Sequence, residues 1–250
     1  MKVIACLRSS IAYILVGLFF SVWSLVTLPL LWITGLFSKK ARDRAVRAIA
    51  MTALRIITAV LGVKARVIGF ENVPAGTAAF ISNHKSFFDM ICVYPIMKRP
   101  LGFVAKKEFA SILPFRIWLL WLGCIFVDRK NPREGMKSIN AAAEKIKNGT
   151  SMWICPEGTR VRHEGLGDFH EGSFKIADKA GCKVVPVTFI HMEECYEKQS
   201  PLVLPTKPII VFGKPVDTAG LDREGLRAVH QQVEDEIKHT YEQYVTEPFR

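Results

Sequence analysis

No two cysteines of this chain stand at C-x-x-C spacing, no H-E-x-x-H occurs and no G-x-S-x-G appears. The first two absences remove the usual sequence signatures of a zinc site around His163, His170 or His191. The third removes the nucleophile elbow of an α/β-hydrolase triad. Cys6, Cys92, Cys124, Cys155, Cys182 and Cys195 mostly sit in apolar, strand-like surroundings and read as reduced thiols packed as small hydrophobes in a cytosol-facing protein. Acidic residues are scarce too: 23 against 34 Lys and Arg leave a formal charge of +11. That excess favours an anionic partner: nucleic acid, an acidic membrane surface or a phosphorylated substrate. A mean hydropathy of +0.20 shifts the weight toward the membrane. No repeat or low-complexity segment is present, so 250 residues suit one large α/β core with an N-terminal appendage.

The appendage is the one long uncharged run. Ile11 to Phe37 is 27 residues without a charge, more than the roughly 20 that a membrane-crossing helix needs. It is too long for a signal-peptide core, and Phe37-Ser38-Lys39-Lys40 offers no small-residue cleavage site. Pro29 and Gly35 argue against one straight helix and leave a kinked or re-entrant one open. Lys2 and Arg8 precede the run and Lys39, Lys40, Arg42 and Arg44 follow it, so the positive-inside rule weights the downstream side toward the cytoplasm. From Ala41 to Leu61, Arg44, Arg47, Met51, Arg55 and Thr58 share one helical face and Ala45, Ile49, Ala53, Ile56 and Val60 another. The segment reads as an interfacial anchor on anionic lipid or as a core helix with a solvated arginine face. Residues 1–61 are thus expected to form membrane-anchoring helices and residues 62–250 an α/β domain.

Beyond Gly62, short apolar runs predict strands at Arg66–Phe70, Ala78–Ser82, Leu101–Ala105, Gly123–Val127, Ser151–Cys155, Val184–Phe189 and Pro208–Gly213. Several are apolar on both faces and therefore central. Asn131 and Pro132 mark the start of a helix over 132–147. Leu226, Val229, Val233, Ile237, Tyr241 and Tyr244 make a stripe for a covering helix. Glu193 to Lys207, with two prolines, reads as an irregular connection.

Two polar turns break these runs. In Asn83-His84-Lys85-Ser86-Phe87-Phe88-Asp89, Ser86 and Asp89 make a capping box for a helix running toward Met97, which accounts for both without chemistry. Asn83 and His84 are left unexplained by it. Residues five apart on a helix lie about 140° apart, so His84 and Asp89 meet only if His84 precedes the helix. Met, they make a carboxylate-oriented base able to deprotonate a hydroxyl. A triad lacks its nucleophile, since no cysteine shows a helix N-terminal context beside His84. The second turn, Cys155-Pro156-Glu157-Gly158-Thr159-Arg160, is either a tight turn with a solvated arginine or a grip on a polar head group, with Arg160 suited to phosphate. Arg129 ends another apolar run, so two strand ends offer an arginine where open α/β sheets bind ligands.

Taken in order, these blocks resemble the glycerolipid acyltransferases related to 1-acylglycerol-3-phosphate O-acyltransferase. Asn83 to Asp89 matches the N-H-x-S-x-x-D block. Lys106-Lys107-Glu108 through Gly123 to Arg129 matches the second, and Cys155 to Arg160 the F-P-E-G-T-R block with cysteine for phenylalanine. Val185-Pro186-Val187 matches the short fourth block. The likeness runs from about Phe70 to Phe189. Two positions depart from it: Val161 stands where a serine is usual, and Phe169-His170-Glu171-Gly172 replaces a basic F-K-x-G.

The resemblance implies an α/β domain with a mixed central sheet flanked by helices, and an apolar groove for the acyl chain. It implies His84 as base and Asp89 as its orienter. Asn83 and nearby backbone N–H groups would support an oxyanion, and Glu157, Gly158, Thr159, Arg160 and Arg129 would hold the acceptor. It implies acyl transfer to lysophosphatidate at a membrane, with no cofactor or metal beyond an acyl-CoA or acyl carrier protein thioester. Membrane lipids are the expected partners, and the site would face the cytoplasm at a bacterial inner membrane. Another lysolipid acceptor, or a non-catalytic lipid-binding protein of this fold, are the alternatives. Nucleic-acid binding is disfavoured because the basic residues flank an apolar segment rather than exposed aromatics.

Overall fold

The computed structural model describes residues 2–128 and 131–249. Its first feature is one long apolar helix: α1 (Lys2–Leu18) continues through a π turn at Phe19–Trp23 into α2 (Ser24–Phe37). The irregularity falls before Pro29, which is accommodated inside α2. Ser38 ends the run and caps the next helix, its hydroxyl accepting from the Ala41 N–H at 3.2 Å, and α3 (Lys39–Leu61) folds back. Gly62, at φ +73°, closes α3 in the left-handed conformation that glycine adopts without steric cost.

After α3 come β1 (Arg66–Ile68), β2 (Ala78–Ser82), α4 (Phe88–Val93), β3 (Leu101–Lys106), α5 (Leu113–Trp121) and β4 (Ile125–Val127). They are followed by α6 (Pro132–Lys147), β5 (Ser151–Ile154), α7 (Lys175–Ala180), β6 (Lys183–Ile190), β7 (Ile209–Phe212), β8 (Val216–Asp217) and α8 (Arg223–Tyr244). The strands form one sheet in the order β1-β7-β6-β2-β5-β3-β4, with β8 beside β6. β6, β2, β5, β3 and β4 run parallel, while β7 and β8 lie antiparallel to β6. The sheet is therefore mixed, as expected. All seven predicted strands are present, and β8 is an addition of two residues.

Alternation along the buried strands divides the core. Phe80, Trp153 and Phe189 stack in a row across β2, β5 and β6, with ring centroids 5.2 and 5.6 Å apart, on the face covered by α3 and α4. Ala79, Ile81, Met152, Ile154 and Val184 point the other way, onto α6, α7 and α8. The stripe on α8 does its covering through Val229, Val233, Ile237 and Tyr241. Asn131 caps α6, accepting from the N–H groups of Arg133 and Glu134.

α3 packs through part of its expected apolar face, Ala45, Ile49 and Val60, and through residues beside it. Its buried line is Val46, Ala50 and Leu61, supported by Leu54 and Ile57, whereas Ile56 is exposed. Two of its arginines are engaged: Arg55 donates to the Pro95 carbonyl at 2.9 Å, and Arg42 pairs with Asp43 and lies over the Trp121 ring. The cause is that α3 is covered on more than one side. Val46 packs with Leu31 and Trp118, while Ala50 and Leu61 join the sheet's main core.

Candidate active site

The site is assembled where parallel strands end side by side. Ile81 of β2 is in register with Ile154 of β5, so the chain leaves both strands at one edge of the sheet. Asn83 follows immediately. Its carboxamide nitrogen donates to the Phe189 carbonyl and its oxygen accepts from the Phe189 N–H, both at 2.8 Å. Fully buried, Asn83 is a strut between β2 and β6.

His84 precedes α4, as the meeting of the pair requires. Its Nδ1 lies 2.7 Å from Asp89 Oδ2, with the imidazole 24% exposed and the carboxylate fully buried. The same oxygen accepts the N–H groups of Lys85 at 2.9 Å and Ser86 at 3.1 Å. One oxygen of Asp89 therefore meets the imidazole nitrogen and two backbone N–H groups, which fixes the ring against it. With Nδ1 carrying the proton toward Asp89, Nε2 keeps its lone pair.

The capping box forms in part. Asp89 reaches back to the Ser86 N–H, but the Ser86 hydroxyl accepts from Phe88 N–H at 3.0 Å and donates to Glu197 at 2.5 Å. α4 consequently starts at Phe88 and gives way to a 3₁₀ turn after Val93. Glu197 also accepts the Phe87 N–H. The N–H groups of residues 84–89 are thus engaged within the protein.

The turn after β5 is arranged in the opposite sense. Gly158, at φ +71°, lets the chain reverse, and its N–H returns to the Cys155 carbonyl at 3.0 Å. Glu157 is buried and accepts the His84 N–H at 2.5 Å and the Gly167 N–H at 2.8 Å. Burial pushes its carboxyl above the usual glutamate range, and those two N–H groups oppose the shift. It braces the first turn against the loop after Arg160. Thr159 is exposed at the turn. Arg160 projects outward from the brace. Its Nη1 lies 2.9 Å from Glu197 Oε1, and its guanidinium carbon is 3.6 Å from the Phe87 ring centroid. Arg129 lies outside the described residues.

Two residues without a place in the sequence pattern complete the structure around the pair. Lys85 is 2% exposed and donates from Nζ to the carbonyls of His163 and Gly165, so it clamps the loop after Arg160. Desolvation lowers its pKa, against the pull of Glu193 and Glu157. The Val161 N–H bonds the His84 carbonyl at 2.9 Å, tying that loop to the first turn. Glu197 is the other, and its connection carried no motif. No spacing rule would have found either, because their partners lie from 37 to 111 residues away.

The arrangement can take a proton from a hydroxyl at Nε2 and present a guanidinium nearby. A cysteine nucleophile finds no support at Cys124, Cys182 or Cys195, whose thiols burial pushes up to about 12, 11 and 12. Among the described residues no three His, Cys, Asp or Glu side chains converge as a metal would require.

The chain spans 73% of a probable 1-acyl-sn-glycerol-3-phosphate acyltransferase of Mycoplasma pneumoniae, with 32% identity over 195 residues that make up 73% of this chain. A 1-acyl-sn-glycerol-3-phosphate acyltransferase of Salmonella typhimurium is 38% identical over 45% of this chain and 46% of its own length. The crystal structure of the 1-acyl-sn-glycerophosphate acyltransferase PlsC from Thermotoga maritima has the same fold, with a TM-score of 0.81 over 98% of both chains at 21% identity. Residues 64–190 match the acyltransferase family model, and that span holds both turns, so the chain belongs to the acyltransferase family.

Proposed function

We propose that this chain moves a fatty acyl group from an acyl thioester to the free hydroxyl of lysophosphatidate, giving phosphatidate for phospholipid synthesis. The observation that carries the reading is an accessible imidazole on a buried carboxylate, 2.7 Å apart, in an O-acyltransferase family member. The relatives' names supply the acceptor. His84 Nε2 takes the hydroxyl proton as the oxygen attacks the thioester carbonyl. The tetrahedral intermediate collapses, its C–S bond breaks, and the imidazolium returns the proton to the leaving thiolate. Asp89 holds the tautomer and stabilises the imidazolium, and base catalysis by His84 contributes roughly 10² to 10⁴ in rate. Arg160, with Arg129, would hold the acceptor phosphate. The donor would be acyl-CoA or an acyl carrier protein thioester.

We propose further that α1 to α3 anchor the chemistry-bearing domain, residues 62–250, to the lipid surface. Val3–Phe37 is one helix long and apolar enough to cross a membrane. Small or polar residues, Ala5, Ser9, Ala12, Ser24 and Thr27, face the protein, and large ones such as Leu7, Ile14, Leu18, Leu25 and Trp32 face outward. Contacts to the body run along the helix, from Ser9 at Val203 to Ser24 at Trp118. This favours a helix lying in one leaflet, since a perpendicular crossing would carry the body into the hydrocarbon. The site would then meet lysolipid at the interface, on the cytoplasmic face of a bacterial inner membrane.

A second acceptor is favoured by one observation: His170 and Glu171 stand exposed beside the second turn, where the family's basic residue is usual. The purified chain, given labelled acyl-CoA or acyl carrier protein thioester and a panel of lysolipids, separates the readings by product mass. Transfer to lysophosphatidate supports the first. Transfer to a different lysolipid moves the acceptor, and no transfer to any of them overturns the enzymatic reading.

A further inference from the structure

We infer that Glu197 is a positioning residue of the acceptor site, setting the guanidinium of Arg160 against the turn that carries His84. The inference rests on Arg160 contacting the acceptor phosphate, as proposed above. One carboxylate collects three donors from two separate blocks: Arg160 Nη1 at 2.9 Å and Phe87 N–H at 3.0 Å on Oε1, and the Ser86 hydroxyl at 2.5 Å on Oε2. Its side chain is 14% exposed and that of Arg160 21%, so the pair is largely withdrawn from water and screened less than a surface pair. The Phe87 ring supports one face of the guanidinium at 3.6 Å. One nitrogen and one face are therefore fixed, and the rest of the planar fork is presented in a set orientation.

Glu197 is itself held from behind. Its segment is closed by the Leu204 N–H on the Cys195 carbonyl at 3.0 Å and by the Lys198–Glu194 ion pair. Two side chains of α1 fasten the far end: the Tyr13 hydroxyl donates to the Pro201 carbonyl at 2.5 Å, and the Ser9 hydroxyl accepts the Val203 N–H at 2.8 Å. The irregular connection is thus a fixed wall between the apolar helix and the acceptor arginine. An arginine ordered beforehand loses less side-chain freedom when an anion binds, and that saving appears in acceptor affinity rather than in the chemical step. A carboxylate beside a phosphate site would also repel the phosphate, and substitution distinguishes the two effects. Glu197→Gln keeps an acceptor oxygen for Arg160 and removes the charge, while Glu197→Ala removes both.

The test is steady-state kinetics of the full-length enzyme in detergent micelles, varying lysophosphatidate and the thioester donor separately. Glu197→Ala is expected to raise the acceptor KM about tenfold, with kcat and the donor KM within about twofold. Glu197→Gln should stay within about threefold of the parent. In an Arg160→Gln background, Glu197→Ala should add nothing, because it acts through that arginine. If Glu197→Ala fails to fold, Glu197→Asp replaces it, with the same expected rise because its shorter arm falls away from Nη1. A fall in acceptor KM would overturn the inference in favour of repulsion. Equal losses for donor and acceptor would reduce Glu197 to packing. An acceptor KM that responds to Arg160→Gln and ignores Glu197→Ala would sink this inference alone, whereas indifference to Arg160→Gln would remove the acceptor reading beneath it.

Discussion

The two strand-end turns lie side by side on the sheet and place their acids in opposite ways. After β2, the buried Asp89 turns its charge toward an accessible imidazole. After β5, the buried Glu157 faces two backbone N–H groups, and the nearby cation, Arg160, is held by Glu197 instead. Each turn therefore pairs one buried carboxylate with one outward cation or base, but only the first couples them directly. The difference teaches that a buried acid at a strand end can hold either a side chain or the backbone. Asp89 holds the His84 ring, whereas Glu157 ties the two turns together.

The largest effect should come from the coupled turn. His84→Ala is expected to lower kcat by roughly 10² to 10⁴, with the melting temperature and binding to lipid vesicles unchanged. Turnover close to the parent's would end the assignment of His84 as base. The comparison breaks differently at the second turn, where Glu157→Ala leaves the N–H groups of His84 and Gly167 without their acceptor. A stability loss of about 2–3 kcal/mol is expected, read as a lower midpoint in urea, with activity lost in parallel as the enzyme unfolds. A normal midpoint with abolished turnover would instead make Glu157 chemical, like Asp89.

The smallest effect is a pH dependence of the brace. Burial holds Glu157 above the ordinary glutamate value, so ionising it costs the folded state more than the unfolded chain. Its contribution to stability is therefore best below the ordinary value of about 4.5 and declines as pH rises through the raised one. The melting temperature of the parent minus that of Glu157→Gln should fall across that window. A difference that rises with pH would mean the two N–H groups outweigh desolvation.

Much of the frame was legible because it rests on local rules. Asn131-Pro132 marked the start of α6 by capping chemistry, and runs apolar on both faces marked β2, β5 and β6 because both sides of a parallel sheet are covered. Placing His84 ahead of its helix followed from helical geometry alone. The expected apolar face of α3 packs in part, through Ala45, Ile49 and Val60, but the fully buried positions lie beside it, since periodicity shows that a face is apolar and not which partners surround it. Asn83 and Glu157 were recognised as motif members, but their backbone partners were not, because those partners come from segments that other strands bring beside them.

By itself the sequence determined the strands, the apolar N-terminal run, the ordered blocks and the possibility of a His84–Asp89 pair. Each follows from spacing between near neighbours, where the backbone's 3.6- and 2-residue periods fix which side chains share a face. Only the tertiary structure decided which polar residues were free for a ligand. It brought Glu197 onto Arg160 and Ser86, buried Lys85 under the loop after Arg160, and matched Asn83 to Phe189. These contacts join segments 37 to 111 residues apart, and they exist only once burial has forced each polar group to find a partner.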